Sequence, residues 1–185
     1  MRVWTAAGLA AGAALVVVAA TVPGTASASA ATCATPWGST PEAGRKDAQG
    51  TLYGVRAGGH LCFDRLVLDV RGQAAGGYDV RYVPTVRRDG SGHVVPLRGA
   101  ADLQIIVRAP SYDPATGEQV YRPAKPSELV PTGGMPTFRQ VAYAGSFEGQ
   151  TTIGLGVRAR LPFRVQTLSG PGTGSRLIVD VAHAW

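Results

Sequence analysis

The chain has 185 residues, a formal net charge of +6 and two cysteines. With 45% hydrophobic and 16% charged residues it has enough apolar side chain to fold, which excludes a disordered polyelectrolyte. Its basic excess is almost wholly arginine, but no lysine-arginine run forms a stripe of the kind that follows a nucleic-acid backbone, so nucleic acid is not an expected partner.

Residues 1–30 read as a secretory signal peptide. Arg2 supplies a short basic start, Ala6 to Ala20 is an unbroken run of Ala, Gly, Leu and Val, and Ala28-Ser29-Ala30 fits the small-x-small pattern of a cleavage site. The apolar run is near the lower limit for a membrane span. Thr32 immediately before Cys33 does not suit a lipobox. The expectation is a secreted or extracellular mature protein, possible association with the wall, and no stable membrane insertion after cleavage.

Residues 31–50 are rich in Pro, Gly, Ser and Thr and read as an extended arm. Residues 51–185 then form one domain of regularly spaced strands. Strand candidates are "TLYGVRAG", "HLCFDRLVLDV", "YDVRYVPTV", "ADLQIIVRA", "TFRQVAYAG", "QTTIGLGVRAR", "PFRVQTLSG" and "SRLIVDVAHAW". Asp89-Gly90-Ser91-Gly92 predicts a hairpin over 86–96. Between the fourth and fifth candidates lies a Pro-rich loop, 110–136, long enough to be functional or mobile, with a short helical turn expected at 127–130. No convincing amphipathic helix interrupts the series, so the fold class is all-β, a sandwich or barrel.

One hexapeptide is spelled twice, as "RLVLDV" at 65–70 and "RLIVDV" at 176–181. Alternation along a strand puts Leu66, Leu68 and Val70 on one face and Arg65, Val67 and Asp69 on the other. The second copy puts Leu177, Val179 and Val181 inward and Arg176, Ile178 and Asp180 outward. Arg and Asp four apart are separated by roughly 13 Å, from about 3.3 Å per residue, and cannot pair within one strand. Antiparallel pairing centred on Val67 and Ile178 would set Arg65 against Asp180 and Arg176 against Asp69; the rival arrangement puts the copies in two sheets related by a pseudo-two-fold axis. Asp64 has the parity of the apolar face, so it is expected near the sheet rim, held by an arginine or by loop amides in a structural role.

Outside the cytoplasm an isolated cysteine pair is most simply a disulfide, Cys33 to Cys62. His60, His93 and His183 are too scattered to make a metal site, and neither metal nor cofactor is expected. Ser91 and His93 sit on a hairpin turn, not on a nucleophile elbow. The G-x-G of "GLGVRAR" lacks a third glycine and a helix, so it is no dinucleotide motif. Glu42, Glu118, Glu128 and Glu148 sit in loops with nothing to bring a catalytic pair together. Tyr and Trp rings offer faces for sugars, and Arg81, Arg158 and Arg160 beside Tyr82 are the candidate ligand-binding residues, suited to carboxylate or phosphate. The competing reading is a solvated face and a net charge that confers solubility.

The segments "GVRAGGHLCFDRLVLDV", "GYDVRYV", "DGSG", "FEGQTTIGLGVRARLPFRV" and "RLIVDVAH" together resemble the AMIN-like domain of secreted actinobacterial proteins, over about residues 50 to 185. That family is distantly similar to the AMIN domains of cell-wall amidases. The resemblance implies a two-sheet antiparallel β-sandwich with internal pseudo-symmetry and an association with peptidoglycan. The reading is therefore a non-enzymatic, envelope-associated binding domain for peptidoglycan or another anionic wall polymer. Its alternatives are a secreted hydrolase of unrecognised type, or a module that docks on an envelope protein through the 110–136 loop.

Overall fold

A computed structural model describes Met1, 33–45 and 50–185. The signal-peptide reading, and residues 31–32 and 46–49 of the arm, lie outside the described residues. Nine strands follow in chain order: β1 Glu42–Gly44, β2 Gly50–Gly59, β3 Phe63–Gly72, β4 Tyr78–Val83, β5 Ala101–Val107, β6 Phe138–Phe147, β7 Gln150–Val157, β8 Phe163–Ser169 and β9 Ser175–Ala182. A 3₁₀ turn, Ala74–Gly76, occupies the loop expected after β3.

The strands form two antiparallel sheets, in the orders β1-β4-β5-β7-β6 and β2-β3-β9-β8. Their facing sides meet in one core. Leu52, Leu66, Leu68, Val70, Leu177, Val179 and Val181 come from the four-stranded sheet, and Val80, Leu103, Ile105, Phe138, Ile153 and Leu155 from the five-stranded one, all without exposed surface. Each such side chain contributes about 1.5–3 kcal/mol through burial. The fold is the expected β-sandwich.

The repeated hexapeptides are neighbours. Val67 lies opposite Ile178, Arg65 opposite Asp180 and Asp69 opposite Arg176. Both copies therefore lie at the centre of one sheet, which excludes their placement in separate sheets. The strand order is palindromic: two hairpins, β2–β3 and β8–β9, join along their inner strands, and each contributes its copy of the repeat at the seam.

The 110–136 loop is not a free arm. The Leu129 amide donates to Val141 O and the Tyr143 amide to Pro126 O, so residues 126–129 pair with the outer edge of β6. The Gln140 side chain donates to Ser127 O, and Arg98 pairs with Glu128. Six prolines prevent a regular strand, yet the loop still covers an edge that would otherwise offer unpaired amides to another chain. The helical turn expected at 127–130 is absent, because this backbone is committed to β6. The hairpin at 86–96 forms as expected, with Val95 N donating to Val86 O. It lies on the outer face of the five-stranded sheet, where Val86 and Val95 pack on Ala142 and Ala144 in a second small core.

Residues 33–44 wrap the molecule as a strap. Cys33 is joined to Cys62 in the β2–β3 turn, the Phe163 amide donates to Gly38 O, the Val165 amide donates to Glu42, and β1 then joins β4. The strap thus runs from the four-stranded sheet, along the edge of β8, into the five-stranded sheet.

Candidate functional site

Asp180 projects from the outer face of the four-stranded sheet but has no exposed surface. Arg65 and Arg164, directly opposite it on the two flanking strands, enclose it. Arg65 donates Nε to Oδ1 at 2.6 Å and Nη2 to Oδ2 at 2.9 Å, and Arg164 donates Nε to Oδ2 at 2.9 Å. The guanidiniums also stack on aromatic rings: Arg164 lies 4.3 Å from the Trp37 centroid, and Arg65 lies 5.2 Å from Phe63. Each guanidinium carries five N–H donors. The donors not spent on Asp180 have no partner among the described residues.

Farther along the face the expected pairing changes. Arg176 stands opposite Asp69, but Asp69 is bound instead by Arg56 of β2, through Nε at 2.8 Å and Nη2 at 3.0 Å. Arg56 reaches it diagonally because Gly54, the residue across from Asp69 on β2, has no side chain. Arg176 has no ion pair among the described residues, and its Nε is buried without an acceptor. Five arginines therefore stand on this face with Asp69 and Asp180, Arg71 lying over the Tyr53 ring, and all but Arg176 are held by an ion pair or an aromatic ring.

Of the residues selected as a ligand site, Tyr82 and Arg160 are brought together, and Arg81 and Arg158 lie apart from them. Arg158 donates to His183 O, and Arg160 donates to Ser39 O and lies 5.0 Å from the Tyr82 ring centroid. Both tie chain ends to the sandwich. The Tyr82 hydroxyl donates to Leu161 O and accepts from Leu161 N, and burial pushes its ionisation up. Tyr82, Arg160, Val83, Pro84, Gly99 and Asp102 line a cleft of about 540 Å³. Burial raises the Asp102 carboxyl above the usual carboxylate range, an effect reduced by a hydrogen bond from the Val86 amide. Arg81 lies elsewhere, on the outer face of the five-stranded sheet, paired with Asp79. Adjacent strand residues face opposite ways, so Arg81 and Tyr82 cannot serve one site from the same surface.

Asp64 accepts from the amides of Thr137 at 2.7 Å and Phe138 at 2.9 Å, and its other oxygen bonds His183 Nε2 at 3.0 Å. It joins β3, the start of β6 and the C-terminal segment at one pole of the sandwich. Ser91 and His93 are exposed at their turn. Among the described residues, no three His, Cys, Asp or Glu side chains converge as a metal site requires. No helix among them is long and apolar enough to cross a membrane.

A family model described as the AMIN-like domain matches residues 50–183. The chain belongs to the AMIN-like domain family. The match begins with β2 and ends one residue after β9, so it takes in both copies of the repeated strand and both sheets. The family is that of a cell-wall-related binding module. No curated protein and no solved structure matches the chain. Arg164, which completes the arginine cluster, was not selected as a site by sequence reasoning, and Trp37 was singled out only among the rings that offer faces for sugars. Their only signal was outward parity in "PFRVQTLSG" and a lone Trp in the arm, neither of which gives the strand order that places them together.

Proposed function

We propose that this AMIN-like domain is a non-enzymatic binding module that works outside the cytoplasm and holds an anionic polymer of the cell wall, peptidoglycan included, across the outer face of its four-stranded sheet. The observation that carries this reading is the pair Arg65 and Arg164. A buried carboxylate and two aromatic rings fix them, and most of their N–H donors remain unspent. Ordering long side chains in advance removes an entropic cost of binding, and guanidinium forks match the geometry of carboxylate and phosphate. Arg176, desolvated at Nε and lacking a counter-ion among the described residues, favours the same class of partner. The leader-like sequence at 1–30 and the disulfide support an extracytoplasmic setting.

The test is co-sedimentation of the purified protein with isolated cell walls at low ionic strength. Wild type is expected to pellet with the walls, and added salt to release it. Arg164→Gln combined with Arg176→Gln is expected to weaken retention about tenfold or more, at unchanged near-ultraviolet circular dichroism. Wild-type protein that stays in the supernatant at low salt overturns the proposal.

A further inference from the structure

A second cationic feature lies on the other sheet, where the strap meets β4. β1 pairs with β4 through Ala43 opposite Asp79 and Gly44 opposite Tyr78, and on its other side β4 pairs with β5 through Tyr78 opposite Val107. One step beyond this register, Arg45, Gly77 and Arg108 form a row across three chain segments. The Arg108 amide donates to Gly77 O, which extends the β4–β5 ladder to that row. Alternation gives Arg45 the parity of exposed Ala43, and Arg108 the parity of Ile106, so both project from the outer face. The residue between them is glycine. Two arginines therefore flank a gap in which Gly77 itself is buried, their Cα atoms roughly 10 Å apart at about 4.8 Å per strand spacing.

Arg81 and Asp79 close one end of the gap, and Tyr78 and Gln150 also line it, in a cleft of about 320 Å³. Asp79 is already engaged by Arg81, through Nε at 2.5 Å and through Nη2. Among the described residues Arg108 has no ion pair. Among the described residues, three guanidiniums and one carboxylate leave the cleft with an excess of two positive charges in a concave setting, where a compact oxyanion loses less to solvent screening than on an open face. Gly44 is what lets the strap approach: a Cβ there would lie 2.4 Å from Gly76 O and 2.5 Å from the Tyr78 ring. The strap strand that places Arg45 is thus built to pack closely on β4.

We propose that the cleft formed by Arg45, Arg81 and Arg108 over Gly77 binds a compact dianionic oxyanion, the phosphoryl group of a monoester or free phosphate. The site is separate from the arginine row of the four-stranded sheet and does not depend on it. Calorimetric titration of the full protein at low ionic strength, with inorganic phosphate and with glycerol 1-phosphate as probes and acetate as a monoanion control, tests it. Saturable one-to-one binding of a phosphate probe is expected, with acetate at least tenfold weaker. Arg108→Gln and Arg45→Gln are each expected to weaken it about tenfold. Arg164→Gln is expected to leave it unchanged, which separates this site from wall binding. A preference for the ester assigns the group to a larger molecule, and equal affinity assigns it to free phosphate; either result supports the site. Absence of saturation with both phosphate probes, or wild-type affinity in the Arg45→Gln, Arg108→Gln double variant, overturns it.

Discussion

Asp64 has no exposed surface, and both of its oxygens are partnered, one by two backbone amides and one by His183. Those partners belong to segments far apart in sequence, so the carboxylate acts as a three-way fastener. Removing it would leave two buried amides without acceptors, each costing about 1–3 kcal/mol. Asp64→Ala is therefore expected to lower the unfolding free energy by about 3 kcal/mol in urea titration, and Asp64→Asn, which keeps one acceptor oxygen, by about 1 kcal/mol. An alanine variant as stable as wild type would contradict this account. The position was legible in the sequence because a charged residue with inward parity must find donors. That Thr137 and Phe138 supply them was not legible, since it depends on where the long loop returns. Arg176 shows the opposite case: its strand partner was readable from the repeat, but the competing reach of Arg56 was not.

Among the elements, β7 explains a motif that sequence reasoning could only reject. Gly154 and Gly156 face outward, where the segment after the 86–96 hairpin lies directly on the sheet. A Cβ on Gly156 would stand 2.0 Å from Arg98 O, and one on Gly154 would stand 3.0 Å from Leu97 Cδ1. The G-x-G spacing is the period of a strand, and it clears a lane for a covering chain. Gly156→Ala is expected to cost about 2 kcal/mol, because the obstacle is backbone that must be displaced. A melting temperature equal to that of wild type would show that the covering segment yields freely. The strand pattern and the hairpin were visible beforehand from alternation and from the Asp-Gly-Ser-Gly turn. Which outer face the hairpin covers was not, because hydrophobic periodicity reports that a side is buried and not what buries it.

For the molecule as a whole, the matching hexapeptides made readable the side of each strand that enters the core, and they offered a register between the copies, but whether the copies share one sheet was decided only by the structure. The strap was readable as an extended arm and at its crosslink from Cys33 to Cys62, but not in its path. Its pairing with Phe163, Val165 and β4 joins both sheets, so it contributes to stability beyond the covalent link. Cys33→Ser is expected to lower stability by about 3 kcal/mol, as loss of a crosslink closing a loop of this size should, while β1 stays paired. Amide exchange at Val80, across from Glu42, is the measurement: continued slow exchange fits, and complete loss of protection would mean that the strap depends wholly on its crosslink.

The crosslink also has a geometric consequence. Cys62 is bonded to Cys33 and accepts a hydrogen bond from the amide of His183, so the beginning and the end of the folded unit leave from the same pole. A fusion partner, a lipid or a surface attached at either end would hold the sandwich in the same orientation. Both broad flanks would stay clear of the attachment, and so would the far tip.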